Sequence, residues 1–449
     1  MYNPAVRSRL AVWILLFSAL GASGCAYSMI RDGQLRPEPF DGVVSRTAAV
    51  RGIEPPLPID ARVVTSADLE EVILRAITRE WSDDQIRRYE RALTTMGLWP
   101  GDRDLIDEFI AVMTEEVAGL YDPADRVLYI VSDSETPFLA RLLSALLRRD
   151  LGREVVLSHE LVHLLQHASY PSLMDTDSFF YDHDDVGAAI QAAVEGDATR
   201  YGFEALDLLP ALPDPADLRE EIESELASIH DGALAAAPAL IRLTLAFPYT
   251  HGYRLSYGEG KALLDSPPAS TEQVLHAGER RAPFLAIDLG PLRDALPAGC
   301  QFVHENTLGE LEISVLFRDL ANDPSEDAWV GWDGDRYLVA ECDEQPAILW
   351  LTAWDSRSDA LEFENAYRGI LEALVARAGL ATSPNVTRSE REVLVYSDAL
   401  APLSKALSSR TRRERVSTLP ELRSHFDAGM SRRAPATGAR QNALRTRPE

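Results

Sequence analysis

The sequence predicts an α+β protein that is mainly helical. Apolar residues recur at helical spacing in several segments, among them residues 66–77, 83–96, 102–118, 186–198 and 359–378. Strand patterns are confined to short stretches at residues 127–131, 336–340 and 347–352. A chain of 449 residues is also too long for one compact core, so two or three domains are expected.

The chain is strongly acidic, with a formal net charge of −27 at pH 7. Residues 400–449 contain eleven Lys or Arg and four Asp or Glu, a net of +7, so residues 1–399 carry −34. Nucleic-acid binding needs a basic surface, so the acidic body argues against a nucleic-acid partner.

The N-terminus has the pattern of an export signal. Arg7 and Arg9 precede an apolar run over residues 10–20, which is too short for an ordinary membrane span. The small residues 22–24 then lead into Cys25, and this resembles the lipobox of bacterial lipoproteins. We therefore expect a signal peptide over residues 1–24 and lipidation of Cys25, which would anchor the protein to a membrane of the bacterial cell envelope. Ordinary secretory cleavage, with Cys25 incidental, is the alternative, and either route exports the chain.

Two other cysteines remain, Cys300 and Cys342. In an exported protein, two cysteines without metal-site spacing favour one disulfide. Two buried free thiols are the less favoured interpretation.

The motif that carries chemistry is HExxH, formed by His159, Glu160 and His163 within an apolar stretch. On a helix the two histidines lie one turn apart on one face, where two imidazoles can share a Zn²⁺ ion. Glu160 would then reach a water molecule as general base. Two core histidines satisfied by hydrogen bonds are the structural alternative.

A catalytic zinc site needs a third protein ligand. Position 169, where one class of such sites has its third histidine, is Ser169. His167 would lie about 12 Å along the helix from His159, too far to share the ion, and is expected at the surface or beside the site. Glu195 is the better candidate, since it lies on a second helix among small residues, thirty-two positions after His163.

HExxH followed by a glutamate on a separate helix resembles the gluzincin class of zinc metallopeptidases. A wider set of motifs resembles a group of uncharacterised, often exported bacterial metallopeptidase-like proteins: GLYDP (119–123), HELVHLLQ (159–166), VEGDA (194–198), FPYTHG (247–252), PPASTEQVLH (267–276), LGE (308–310) and GWDGDRY (331–337).

This resemblance implies His159, His163 and Glu195 as zinc ligands and a downstream donor for the oxyanion, for which Tyr249 is the candidate. Simple packing of Tyr249 beside Pro248 is an equal alternative. An aspartate that often orients the first histidine of gluzincins is replaced by Thr199, which leaves Asp197 or another group for that role.

The expected organisation follows from these patterns. We predict a flexible tether (25–60), a zincin-like catalytic core (61–208), a helical extension that completes the cleft (209–290), a C-terminal α+β domain (291–400) and a basic, largely disordered tail (401–449).

The predicted function is zinc-dependent hydrolysis of a peptide or protein substrate at the cell envelope, with Glu160 as general base. The strand at 127–131 is expected to hold an extended substrate by edge pairing. The alternative is a zincin-shaped binding or assembly lipoprotein with little or no turnover, in which the region 210–400 would contact a partner. An intact Glu160 favours the enzyme.

Overall fold

The computed structural model describes residues 28–133, 150–174, 180–211, 214–217, 219, 222, 231–277 and 281–433. The predicted signal peptide and the lipidation site Cys25 lie outside these ranges. Of the described residues, 58% are in helices and 18% are in strands, which confirms the prediction of a mainly helical α+β protein. Within the described ranges, each helix is too short or too polar to serve as a membrane span.

Within the described residues the helices are, in chain order, α1 Pro37–Arg51, α2 Ser66–Glu80, α3 Asp83–Met96, α4 Leu105–Glu116, α5 Leu151–Ser169, α6 Pro171–Met174, α7 Asp184–Glu204, α8 Ala233–Ala236, α9 Ala239–Phe247, α10 Tyr253–Glu259, α11 Thr271–Leu275, α12 Gly290–Arg293, α13 Gly309–Leu320, α14 Arg357–Ala378, α15 Ala401–Arg410 and α16 Leu419–Arg433. The strands are β1 Ile30–Arg31, β2 Gln34–Leu35, β3 Asp60–Val64, β4 Gly119–Asp122, β5 Val127–Val131, β6 Phe284–Asp288, β7 Cys300–Asn306, β8 Trp332–Cys342, β9 Gln345–Trp354, β10 Asn385–Ser389, β11 Glu392–Tyr396 and β12 Arg412–Val416.

The segment after residue 27 is folded onto the body, which corrects the prediction of a flexible tether over 25–60. The backbone N–H of the fully buried Met29 donates to Asp150 Oδ2 at 2.9 Å. Helix α1 then packs against α5 and α7 and buries Val43 and Arg51. Its prolines lie in the first turn, where a missing N–H costs nothing, so the Pro-rich composition hid a helix.

A small sheet supports the motif helix α5 from one side. Its order is β3-β5-β4, with β3 parallel and β4 antiparallel to β5. The strand β5 is buried at every residue and has a neighbour on both sides. The expectation that residues 127–131 offer a free edge to a substrate was therefore wrong. The outer strand on the α5 side is β4, where a side chain at Gly119 would collide with Val156 of α5.

Helices α5 and α7 form the centre of the molecule and pack closely. Gly202 of α7 allows this approach, because a Cβ atom there would lie 3.2 Å from the backbone nitrogen of His159. The hydroxyl of Ser158 donates to the Gly202 carbonyl at 3.0 Å and ties the two helices together.

The region predicted as a helical extension (209–290) is mainly helical where it is described. It includes α8 to α11, a five-residue π-helix at Pro248–Gly252 and a 3₁₀ segment at Gly260–Asp265. Strand β6 falls within its last part and pairs with β12 from the far end of the chain. Helix α10 and the π-helix pack directly on α7.

The C-terminal region centres on a five-stranded antiparallel sheet of order β10-β11-β9-β8-β7. Cys300 and Cys342 stand opposite each other on β7 and β8 and form a disulfide with an S–S distance of 2.03 Å. The main hydrophobic cluster contains buried residues of α3 and α7 together with residues of the five-stranded sheet, α13 and α14. The predicted catalytic core and the C-terminal domain therefore pack against each other, while the leucines of α5 lie in a separate cluster with Tyr121 and Leu128.

The basic tail is folded through Arg433, which corrects the prediction of disorder from residue 401. Helix α15 buries Leu403 and Leu407, and β12 buries Val416 while pairing with β6. Residues 434–449 lie outside the described ranges. Arg410, Arg413 and Arg415 of this segment are exposed, whereas Arg412 and Arg423 are half-buried.

Candidate metal centre

His159, His163 and Glu195 converge at the interface of α5 and α7. His159 Nε2 lies 3.1 Å from both His163 Nε2 and Glu195 Oε2, and His163 Nε2 lies 3.4 Å from the same carboxylate oxygen. Within the described ranges, these three residues are the one group whose ligand atoms are close enough to hold a metal ion. The structure thus brings together the three residues that the sequence proposed as ligands.

The distances match the face of a tetrahedron around zinc. Two atoms bound to zinc at about 2.0–2.1 Å in tetrahedral geometry lie about 3.3 Å apart. The three observed separations are 3.1, 3.1 and 3.4 Å. Two imidazole nitrogens and one carboxylate oxygen are also a donor set that catalytic zinc sites use. The residues present therefore fit Zn²⁺ and leave one coordination position.

Gln166 sets the protonation of His163. Its Nε2 donates to the Val194 carbonyl and to Asp197 Oδ2, each at 2.9 Å, so its Oε1 must face His163 as an acceptor. The distance from His163 Nδ1 to that oxygen is 2.8 Å. In the neutral form that binds a metal, His163 therefore carries its proton on Nδ1, and the lone pair of Nε2 points at the metal position.

A buried ion pair fixes Gln166 in turn. Arg51 of α1 donates from Nε to Asp197 Oδ2 at 3.2 Å, and both side chains are almost fully buried. Asp197 thus supports the ligand His163 through Gln166. The sequence singled out Asp197 as a supporting group but missed Gln166 and Arg51, whose contacts join segments far apart in the chain.

The carboxylate of Glu195 dominates the electrostatics of the metal-free site. Burial disfavours the charged imidazole of His163, yet the neighbouring Glu195 outweighs it and raises the pKa of His163 to about 9. Burial acts against Glu195 as well, but the two histidines hold the pKa of its carboxyl far below the usual range. A site that draws a positive charge this strongly is suited to a cation.

The carboxylate of Glu160 is bound by strand β4. Its Oε2 accepts the backbone N–H of Tyr121 at 2.7 Å, and the residue is 8% exposed. One carboxylate oxygen is thereby held in place at the floor of the site. This contact joins the HExxH helix to the GLYDP segment.

His167 is buried beside Tyr121 rather than at the surface. The Tyr121 hydroxyl and His167 Nδ1 are 2.8 Å apart. His167 is absent from the group of possible metal ligands among the described residues, as its place on the helix predicts.

Tyr249 faces the same site from the π-helix. Its hydroxyl lies 3.5 Å from Glu195 Oε2, and its ring is 6.4 Å from that of His159. Tyr249 is 41% exposed, but the negative charge of the neighbouring Glu195 raises its pKa well above the usual value of about 10. The phenol therefore stays protonated and available as a donor.

The part of the chain that matches a known protein family lies outside this site. Residues 300–417, from β7 to just beyond β12, match a family described as a domain of unknown function (DUF8575). The matched segment contains the five-stranded sheet but none of the residues around the metal position. No curated protein and no solved structure matches the chain.

Proposed function

We propose that this protein is a zinc-dependent peptidase of the gluzincin type, with a zincin-like core formed by the β3-β5-β4 sheet, α5 and α7. The observation that carries the proposal is the convergence of His159, His163 and Glu195 with tetrahedral separations of 3.1–3.4 Å. A bound zinc ion would supply a water molecule activated for attack and would polarise the scissile carbonyl.

Glu160 acts as the general base of the proposed reaction. It follows the ligand His159 directly in the chain, and its contact with the Tyr121 N–H leaves the second carboxylate oxygen for a water molecule. That oxygen takes the proton of the attacking water and then delivers it to the nitrogen of the leaving amine.

Tyr249 is the candidate donor to the oxyanion that forms on the substrate carbonyl. Its hydroxyl is protonated at neutral pH and lies at the edge of the ligand group. A phenol held at that place stabilises negative charge that develops only during the reaction.

A substrate would lie in extended form along β4, the outer strand of the small sheet beside Glu160. Backbone pairing of this kind recognises a peptide with little demand on its side chains. The proposed substrate class is therefore a peptide or an unfolded segment of a protein.

The proposed location is the cell envelope, with the chain exported and anchored through a lipid on Cys25. The Cys300–Cys342 disulfide fits an oxidising compartment outside the cytoplasm. Ser28 and Met29, three and four positions after Cys25, contact Asp150 of the folded body. A lipid on Cys25 would thus hold the body close to the membrane surface.

The test is metal content and peptide turnover of purified protein lacking residues 1–25. We expect one zinc ion per chain and hydrolysis of some members of a broad peptide library. Glu160→Gln should keep the zinc and lower turnover by about 10²–10⁴-fold, the usual contribution of a general base. Glu71→Gln, an exposed change on α2, is the matched control and should leave both unchanged.

Two outcomes separate the alternatives. Stoichiometric zinc without turnover of any peptide would favour the binding or assembly role. If the wild-type protein contains no zinc and its properties do not change in His159→Ala, the metal site is ruled out, and the peptidase and the zinc-dependent binding role are ruled out with it.

A further inference from the structure

Apart from the metal centre, the protein has a cavity next to the π-helix that carries Tyr249. Its volume is about 450 Å³, within the range of small-molecule sites. It lies between α9, the π-helix, α11 and α13, and residues 326–330 close one side. The metal ligands do not line it.

The cavity has a cationic wall in a strongly acidic protein. Arg242 of α9 and Arg318 of α13 line it, and among the described residues neither forms an ion pair with a carboxylate. Arg242 Nε is buried and has no hydrogen-bond partner in the described part of the chain. The guanidinium of Arg318 lies over the ring of Trp329, 5.4 Å from its centre. An arginine nitrogen buried without an acceptor is costly, so an acceptor in the cavity would stabilise it.

His251 adds a neutral polar group to the same wall. Burial, together with the positive charges of Arg219, Arg254 and Arg318, lowers the pKa of His251 to about 4. Its Nδ1 is buried, and none of the described residues offers it a hydrogen bond. Burial is the largest cause of the lowered pKa, and the arginine charges add to it in the direction that a positive potential in the cavity would.

Two of the three carboxylates at the cavity already have a partner. Glu310 contacts His276 Nε2 at 3.0 Å, and Asp319 pairs with Arg377 of α14. Glu326 lies at the exposed rim. Among the described residues, neither Glu310, Asp319 nor Glu326 therefore pairs with Arg242 or Arg318.

The remaining lining is apolar, with Leu243, Phe247, Leu275, Leu311 and Trp329. From this cavity, its two arginines without carboxylate partners and its apolar surface, we infer a binding site for a small organic anion with an apolar body, such as an aliphatic carboxylate. The anionic group contacts Arg242 and Arg318, and the apolar body packs against the leucines and aromatic rings.

The site has a direct connection to the metal centre. Thr250 and His251 line the cavity, and they follow Tyr249 on the same π-helix. A ligand in the cavity therefore contacts the segment that sets the position of Tyr249. Binding itself depends on neither the metal nor turnover, so the inference stands apart from the proposed peptidase activity.

The experiment is calorimetric titration of metal-free protein lacking residues 1–25 with three probes. Octanoate carries both the charge and the apolar body, 1-octanol the body alone, and inorganic phosphate the charge alone. We expect saturable one-to-one binding of octanoate and at least tenfold weaker binding of the other two. Arg242→Gln and Arg318→Gln should each weaken octanoate binding about tenfold, as expected for a lost hydrogen bond to a charged group.

Matched variants keep the test specific. Arg357→Gln removes the same charge from an exposed arginine whose side chain is 71% accessible, and should leave binding unchanged. Arg242→Lys, which keeps the charge at the partly buried position, should retain more affinity than Arg242→Gln. The inference is overturned if octanoate does not bind, if octanol binds equally well, or if Arg242→Gln and Arg318→Gln, with unchanged circular dichroism, bind octanoate like the wild type.

Discussion

Gly196 of α7 and Gly252 of the π-helix lie where the backbones of these two helices touch. A Cβ atom on Gly196 would stand 2.1 Å from the Gly252 carbonyl oxygen, and one on Gly252 would stand 2.1 Å from the Ala192 carbonyl oxygen. Glu195 directly precedes Gly196, and Tyr249 is three residues before Gly252. This backbone contact therefore sets the distance between the carboxylate of Glu195 and the hydroxyl of Tyr249.

Gly252→Ala should separate α7 from the π-helix and destabilise the protein. The added methyl group meets backbone atoms that cannot rotate away, so we expect the free energy of unfolding to fall by about 1–3 kcal/mol or more. Urea denaturation measures the change. Gly258→Ala is the matched control, because no atom lies within 4 Å of its Cβ position in α10, and alanine there should raise stability by up to about 1 kcal/mol. If Gly252→Ala leaves the free energy of unfolding unchanged, the close contact between the two helices is contradicted.

Gln166→Met should weaken zinc binding without removing a ligand. Methionine has the length of glutamine but cannot accept the proton of His163 Nδ1, so the imidazole loses the partner that orients it. Loss of such a partner lowers metal affinity by about 10–100-fold. Competition with a chelating dye measures the affinity, and near-ultraviolet circular dichroism checks the fold.

Gln191→Met is the matched control for this change, since Gln191 is exposed on α7. It should bind zinc like the wild type. Unchanged zinc affinity in a folded Gln166→Met variant would show that the hydrogen bond to Gln166 does not support His163.

The ligand group was predictable because its evidence is local. The spacing of His159 and His163 places them on one face of any helix, and the small residues around Glu195 indicate close helix packing. The support of His163 was not predictable in the same way. Arg51 reaches Asp197 across 146 positions, and Tyr121 binds Glu160 through a backbone N–H that no side-chain pattern reveals.

The predictions of a flexible tether and of a disordered tail were wrong for the same physical reason. Helix α1 and strand β12 are short or mainly polar, so each buries few apolar side chains and shows weak periodicity. Their positions are determined by tertiary contacts with α5, α7 and β6. Composition alone therefore suggested a tether and a disordered tail where the structure has docked elements.

Asp185→Asn should make stability less dependent on pH. Asp185 is 3% exposed, and burial raises its pKa to about 7 although Thr271 donates to it from both N and Oγ1. The folded state thus holds a proton that the unfolded chain releases near pH 4, and stability falls as pH rises from about 4 to 7. Asparagine accepts the same two hydrogen bonds without the charge. The variant should be more stable than the wild type at pH 8 and similar to it near pH 4, as urea denaturation at several pH values would show.

The control is Asp323→Asn, an exposed change in the loop after α13, which should follow the pH profile of the wild type. Other buried carboxyls with raised pKa values, such as Asp184 and Glu272, stay in the variant, so some pH dependence should remain. A wild-type profile in Asp185→Asn would show that Asp185 carries no buried charge at pH 8.

Tyr249→Phe tests the catalytic side of the proposal without disturbing the metal. The variant keeps the ring beside His159 and removes only the hydroxyl, which lies 3.5 Å from Glu195 Oε2 and makes no other hydrogen bond among the described residues. If this hydroxyl donates to the oxyanion, its loss should lower kcat by about 10²–10³-fold with little change in KM, because the interaction exists only in the transition state. Zinc content should stay at the wild-type level.

Tyr257→Phe, which removes a hydroxyl from a 56% exposed tyrosine on α10, is the matched control and should leave kcat unchanged. A raised KM with normal kcat would instead assign Tyr249 to substrate binding, and unchanged kinetics would leave its ring as a packing element beside Pro248.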